Sequence, residues 1–192
     1  MVRKMRTPLV ALALVFALLG AWPAVQTLGE KEQFTAVAIV NNNLGSGAGT
    51  VLIQIDRWST ENERTKLVNA LLQKGPTALL DELQKQRPVG TIRTPDSLGY
   101  DLHYAHQAPG EDGGRLIVVA TDRPIGFWEA RNQPRTVDYP FTVVQMRIGR
   151  DGKGQGTLSY ATKIQALHNT IELENYATSP VMLTEITARK SD

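Results

Sequence analysis

The sequence predicts an α+β domain: an antiparallel β-sheet of about 8–9 strands, curled into a barrel or a sandwich, with a helical hairpin inserted after the second strand. Three observations predict this fold. Short runs rich in β-branched residues recur along the chain, Gly- and Asp-rich turns separate them, and two leucine-bearing helical patterns lie side by side. Such spacing is typical of antiparallel sheets that are closed or nearly closed.

The N-terminus has the pattern of a secretory signal peptide. MVRKMRTP contains three basic residues and no acidic residue, and LVALALVFALLGAW continues it as an apolar run of 14 residues. That run is shorter than the roughly 20 residues of a transmembrane helix. We therefore expect residues 1–27 to be a signal peptide, with an uncleaved anchor as the alternative, and residues 28–192 to form one domain in the periplasm or outside the cell.

Composition excludes several classes of function. The expected signal peptide contains three of the 21 basic residues, which leaves 18 against 19 acidic residues and a net charge of −1. A nucleic-acid-binding domain needs a basic surface, so we expect no nucleic acid partner. The absence of cysteine excludes disulfides, thiol catalysis and cysteine-ligated metals. We expect no metal and no cofactor.

The first two predicted strands flank an Asn- and Gly-rich connector. FTAVAIV (34–40) and TVLIQID (50–56) are β-branched and alternate in polarity, and NNNLGSGAG between them predicts a long hairpin loop. The glycines loosely match a dinucleotide-binding loop. Because a strand rather than a helix follows them, nucleotide binding is not expected.

Two helices are predicted next. Thr60 and Glu63 form a T-x-x-E capping box before the first helix, and Gly75 with Pro76 ends it. A shorter helix is predicted over 77–87. The two apolar faces, which we expect to pack on the sheet, contain Leu67, Val68, Leu71 and Leu72 in the first helix and Leu79, Leu80 and Leu83 in the second.

The remainder of the chain is predicted to be β-structure with Gly- and Asp-rich turns. The expected strands are 89–93, 99–107, 115–121, 141–149, 156–164, 170–176 and 181–187.

The histidines do not form a recognisable metal site. His103 and His106 are three apart in a predicted strand, so their side chains are expected on opposite faces. Asp101 and His103 share a face, and we expect them to be a solvated polar pair. His168 has no visible partner in sequence.

The stretch ATDRPIGFWEARNQPRTVDYPFT (120–142) is the main candidate for function. It follows a predicted strand and is longer than the about 12–15 residues beyond which loops are usually functional or disordered. One interpretation is a recognition loop that binds a small ligand or an envelope or protein partner. The other is an ordered loop whose charges pair with one another. The candidate binding residues are Arg123, Trp128, Arg131, Asn132, Arg135 and Tyr139.

An enzymatic alternative uses the carboxylates of the same stretch. Asp122 and Glu129 are candidate paired acids for a hydrolase acting on a glycan or an ester, with Trp128 stacking on a sugar. The G-x-S-x-G motif of serine hydrolases and the Walker A motif do not occur. We therefore favour a non-enzymatic module and keep the hydrolase as the alternative.

Four phrases carry a resemblance: IDRWSTENER, VGTIRTPDSLGYDL, ATDRPIGFWEARNQPRTVDYPFT and IELENYATSPVMLTEI. In these segments the chain resembles a family of uncharacterised exported bacterial proteins that bear signal peptides. The resemblance implies export and brings no activity, cofactor or catalytic residue with it.

Overall fold

The computed structural model describes residues 31–42, 45–125, 140–167, 170–175 and 180–190. These residues form one antiparallel sheet, nearly closed into a barrel, and two α-helices, so the predicted α+β class is confirmed. The predicted signal peptide lies outside the described residues. In chain order the elements are β1 (Glu32–Asn42), β2 (Gly45–Ile55), α1 (Glu61–Lys74), α2 (Pro76–Lys85), β3 (Gly90–Arg93), β4 (Tyr100–Leu102), β5 (Tyr104–Pro109), β6 (Arg115–Thr121), β7 (Phe141–Ile148), β8 (Lys153–Leu167), β9 (Thr170–Asn175) and β10 (Val181–Lys190).

The strands of the barrel follow a simple path. Hydrogen bonding orders them β4-β3-β2-β1-β10-β8-β7-β6-β5, and β9 pairs with the last part of β8. The two helices lie between β2 and β3 in the chain, where the helical hairpin was predicted. The prediction for β6 matches the observed strand at both ends.

Two predicted boundaries around glycines are wrong. The connector 41–49 is mostly strand, because β1 and β2 stay paired as far as Asn42 and Gly45. Strand β8 begins at Lys153 rather than at Gly156. At Gly156 a Cβ atom would overlap the carbonyl oxygen of Gln145 in β7, so the backbones there are too close for any other residue. The same holds at Gly154, which lies against the backbone of Arg147, so these two glycines of β8 serve close strand packing rather than a turn.

The barrel closes at a switch of hydrogen-bonding partner between two consecutive residues. The carbonyl of Leu102 accepts a hydrogen bond from the amide of Val89, just before β3, at 2.7 Å. The amide of His103 donates to the carbonyl of Ala120 in β6 at 2.9 Å. The prediction of one strand over 99–107 is therefore wrong: β4 pairs with β3, and β5 pairs with β6.

The barrel interior is filled by apolar side chains. Strands β1 and β2 direct alternate residues inward, as strands with one buried face do, whereas the first half of β7 is buried on both faces. The largest fully buried side chains in this core are Phe34, Ile53, Ile55, Ile92, Leu102, Ile117, Ile125, Met146, Ile148, Leu158 and Leu183.

The helices pack on the outside of the barrel. The Thr60 hydroxyl accepts the Glu63 amide and the Glu63 carboxylate accepts the Thr60 amide, which confirms the predicted capping box. The predicted leucine face is confirmed except at Leu72, which is 55% exposed. The second core joins Leu67, Leu71, Leu79 and Leu83 of the helices to Ala120, Phe141 and Val143 of β6 and β7.

Strand β10 contains a bulge. Leu183 and Ile186 are three residues apart, yet both are fully buried, because the pairing with β1 and with β8 shifts by one residue between them. The bulge places Glu185 at φ 51°, in the left-handed region that non-glycine residues rarely adopt. The strand therefore bends at the cost of local backbone strain.

A buried ion pair lies at one end of the barrel. Glu32 at the start of β1 accepts two hydrogen bonds from the guanidinium of Arg115 at the start of β6, each 2.8 Å long. Arg115 also donates to the side chain of Gln107. Glu32 is only 7% exposed, so the guanidinium supplies hydrogen bonds that water cannot readily make to this carboxylate.

Replacing Glu185 with glycine tests the strain at the bulge. Glycine adopts positive φ without a steric penalty, so Glu185→Gly is expected to raise the free energy of unfolding by about 0.5–1 kcal/mol in urea titrations. Glu185→Ala keeps a Cβ and is the matched control, with no gain expected. An equal gain in both variants would attribute the effect to the carboxylate instead of the backbone.

Removing Arg115 tests the ion pair. Arg115→Ala leaves the Glu32 carboxylate buried without its cation, and we expect a loss of about 2 kcal/mol in the free energy of unfolding, discounted because Arg115 is partly exposed. Arg189, exposed near the end of β10, provides the control: Arg189→Ala should change stability by less than about 0.5 kcal/mol. Equal effects of the two changes would contradict a stabilising role for the pair.

Candidate functional site

Several connections between strands occur at the same end of the barrel, which we call the rim. Antiparallel pairing places there the β3–β4 turn, the ends of β1, β6 and β8, and the starts of β2, β7 and β9. The Glu32–Arg115 ion pair lies at the opposite end, which we call the base. Connections that a rigid scaffold positions at one end are where binding residues are most often found.

The first described residues of the candidate stretch are packed against the barrel. Thr121 and Ile125 are 0% and 2% exposed, and Ile125 belongs to the barrel core. Between them, the side chain of Arg123 is 61% exposed. The described start of the stretch is therefore a short segment with both ends buried and an arginine directed to solvent.

A buried threonine fixes this segment. The hydroxyl of Thr142, in β7, accepts a hydrogen bond from the amide of Ile125 at 3.0 Å. The same hydroxyl lies 2.9 Å from the carbonyl oxygen of Arg123 and 2.8 Å from that of Tyr160 in β8. Thr142 is 1% exposed, so these contacts are shielded from water. The backbone on which Arg123 is placed is thus tied to two strands of the barrel.

Asp122 holds the guanidinium of Arg123. The Nε atom of Arg123 donates to Oδ1 of Asp122 at 3.1 Å, and Nη2 lies 3.5 Å from Oδ2. The Asp122 side chain is only 9% exposed. Its burial raises the pKa of the carboxyl, but the hydrogen bond and charge of Arg123, and the nearby His103, lower it more, so the net pKa lies below the ordinary value. Asp122 is ionised at neutral pH.

His103 lies on the other side of Asp122. Its Nδ1 atom is 2.9 Å from the carbonyl oxygen of Gln86, immediately after α2, and its Nε2 atom is 3.7 Å from Oδ1 of Asp122. The imidazole is 12% exposed. The expected solvated pair of Asp101 and His103 is therefore wrong. Asp101 is exposed, whereas the strand break at His103 directs the ring to Asp122.

His106 belongs to a separate cluster. Its ring stacks on Tyr104 with a centroid distance of 6.2 Å. Burial, and then the charge of Arg64 on α1, lower the pKa of His106, and burial raises the pKa of Tyr104. His103 and His106 thus have different partners. Among the described residues, no group of three or more His, Asp or Glu side chains is placed to hold a metal ion.

An open cleft of about 570 Å³ separates α1 and α2. Lys66, Lys74, Asp81 and Lys85 line it, and all four are exposed. A ligand site usually has a few polar groups that converge in an apolar pocket. The cleft lacks that arrangement, so the rim is the better candidate. Neither helix in the described ranges is long and apolar enough to cross a membrane.

Most of the residues predicted for the site lie outside the described ranges. Of the predicted set, Asp122 and Arg123 are described and are paired with each other. The remaining predicted site residues, Trp128, Glu129, Arg131, Asn132, Arg135 and Tyr139, lie outside the described residues. The hydrolase alternative depends on the separation of the carboxyl groups of Asp122 and Glu129, and only Asp122 is among the described residues.

Sequence reasoning missed two residues that organise the site. Thr142 had no distinguishing signal, because a threonine at the start of a strand is ordinary. His103 was noticed but paired with the wrong aspartate. The two residues contact the start of the stretch from β7 and from the β4–β5 junction, and neither contact is local in sequence.

The lowered pKa of Asp122 has a testable consequence. A carboxyl whose pKa is depressed by folding contributes stability above its unfolded pKa, about 3.9, and loses it as the pH falls through the folded value. We therefore expect Asp122→Asn to be less stable than the parent chain at pH 7, with the difference shrinking below about pH 4. Urea unfolding at several pH values measures it, with Asp81→Asn, an exposed change on α2, as the control. A difference that persists unchanged at low pH would contradict the ion pair.

Comparisons with known proteins give no further assignment. No family model, curated protein or solved structure matches the chain. Its resemblance to exported bacterial proteins remains a prediction, and its function must be inferred from the geometry of the rim.

Proposed function

We propose that this protein is an exported, non-enzymatic module that binds a small ligand or an envelope or protein partner at the rim. The observation that carries the proposal is the placement of Arg123. Its side chain is 61% exposed, yet Asp122 holds its guanidinium and buried contacts fix its backbone. An arginine held in place before binding loses less conformational freedom when a partner binds.

The packed interior supports binding at the surface. A small barrel either fills its interior with side chains or keeps room for one ligand. Here inward positions are occupied by large residues such as Phe34 and Met146, and even the rim end is closed by Ile125. A ligand is therefore expected on the outside of the rim.

The guanidinium of Arg123 offers one edge to a partner. Asp122 contacts the edge that carries Nε and Nη2, so the edge at Nη1 is directed away from it. That edge carries N–H donors for an oxygen acceptor of the partner. Leu98 in the β3–β4 turn is fully exposed, and Tyr100 and Asp101 shortly after it are close enough to Arg123 to affect its pKa. We therefore expect Leu98 to offer an apolar contact to the same partner.

The hydrolase alternative is restricted by the state of Asp122. A carboxyl that is ionised at neutral pH serves as a base or nucleophile and not as a general acid. Glu129 would then have to be the acid, in the retaining or the inverting geometry. Binding without chemistry needs no such second group, and for that reason we favour it.

Cross-linking from the two ends of the barrel tests the proposal. A photo-reactive amino acid is introduced at Leu98 on the rim, or at Arg150 in the exposed turn at the base, and the chain is expressed in a bacterial envelope. We expect a discrete adduct, detected by mass, from position 98 and none from position 150. Arg123→Gln should reduce the adduct by about tenfold or more, as loss of a charge-assisted hydrogen bond implies.

The matched control is Arg189→Gln, which removes an exposed arginine at the base and should leave the adduct unchanged. Urea unfolding of both variants checks that they remain folded. Equal adducts from the two ends, or an adduct insensitive to Arg123→Gln, would contradict rim binding. Turnover of a glycan or ester substrate that Asp122→Asn abolishes would select the hydrolase instead.

A further inference from the structure

We infer that His103 is a positioning residue for Arg123, acting through Asp122. The inference rests on the proposed function in one respect: it explains how the arginine assigned to binding is held in place. The relay runs from the backbone carbonyl of Gln86 through the imidazole and the carboxylate to the guanidinium.

The first contact fixes the ring. A carbonyl oxygen accepts hydrogen bonds and cannot donate them, so the Nδ1 atom of His103, 2.9 Å from the Gln86 oxygen, must carry the proton in that bond. Gln86 ends α2, and α2 is packed on the barrel through Leu79 and Leu83. The imidazole is therefore attached to a rigid element and not to a loop.

The second contact places the carboxylate. The Nε2 atom of His103 is 3.7 Å from Oδ1 of Asp122, within the range of an ion pair and beyond that of a short hydrogen bond. Both ring nitrogens thus face oxygen atoms, one of a backbone carbonyl and one of a carboxylate. Thr121 adds a weak contact from its hydroxyl to the same Oδ1 at 3.4 Å.

The third contact holds the guanidinium of Arg123 at the rim. Oδ1 of Asp122 accepts from Nε of Arg123, so a single oxygen lies between the imidazole and the guanidinium. The side chains of His103 and Asp122 are 12% and 9% exposed, whereas that of Arg123 is 61% exposed. Two buried groups therefore fix one exposed group. The hydrogen bond and charge of Asp122 are the main causes that raise the pKa of Arg123. Asp101 and Tyr100 on β4 raise it further by their electrostatic effect.

The geometry argues against a catalytic role for His103. Its two nitrogens are directed to Gln86 and Asp122 and the ring is nearly buried, so neither nitrogen is presented to a substrate at the rim. Its contribution is the orientation of its neighbours.

Two substitutions separate the contacts of the ring. The amide nitrogen of asparagine occupies the place of Nδ1, so His103→Asn keeps the donor to Gln86 and removes the group that faces Asp122. The amide nitrogen of glutamine reaches the place of Nε2, so His103→Gln keeps a polar group facing Asp122 and loses the donor to Gln86. A purely structural role at α2 predicts that asparagine is the better replacement, and positioning of Arg123 predicts glutamine.

The readout is the exchange rate of the Arg123 Nε proton with water, measured by NMR on the ¹⁵N-labelled chain without its leader. We expect His103→Asn to accelerate exchange by about fivefold, the factor implied by loss of the Arg123–Asp122 hydrogen bond at ordinary strength, and His103→Gln to stay near the parent rate. The Nε proton of Arg115 at the base serves as the internal reference and should not respond.

Equal rates in both variants, or faster exchange in the glutamine variant, would overturn the inference. The same variants, carrying the photo-reactive group at Leu98, test the inference separately from the proposed function. Faster Nε exchange with an unchanged adduct would support positioning and contradict the binding role of Arg123. Faster exchange with a reduced adduct would support both.

Discussion

The change of hydrogen-bonding partner between Leu102 and His103 is the constraint on which the rest of the structure depends. Up to Leu102 the chain pairs with β3, and from His103 onward it pairs with β6, at the other end of the sheet. One extended segment thereby joins the two edges of the sheet. The hydroxyl of Ser59 accepts a hydrogen bond from the amide of Ala105 and so covers part of the edge of β5 that no strand pairs with. Without this closure the sheet would have two long open edges, which proteins usually protect.

The same switch explains the position of the candidate site. It breaks the alternation of the strand at His103, which places the imidazole between the end of α2 and the end of β6. Asp122 follows directly from β6, and Thr142 at the start of β7 fixes the next residues. One small region therefore contains the contacts that close the barrel, attach the helices and expose Arg123. A change in this region is expected to alter both folding and the proposed binding.

Local patterns in the sequence predicted the parts of the fold that depend on local physics. The Thr60–Glu63 capping box, the spacing of Leu67 and Leu71, and the apolar run of β6 each needed only neighbouring residues. The strand break at His103 and the bulge at Glu185 depend on strands distant in sequence, and the glycines of β8 depend on how closely its backbone approaches that of β7. At the site, the position of Asp122 and Arg123 directly after a strand could be predicted from the sequence. Their link to His103 was not, since it arises from barrel closure.

The barrel holds the backbone of Arg123 on a rigid support. Native-state hydrogen exchange of two backbone amides tests this most directly: His103, bonded to Ala120, and Ile125, bonded to Thr142 and Tyr160. If the claim is correct, both amides exchange as slowly as that of Val119 in the centre of β6, because they open only when the barrel unfolds. Exchange of either amide many times faster than that of Val119 would show that the rim opens independently of the barrel, and would contradict the account.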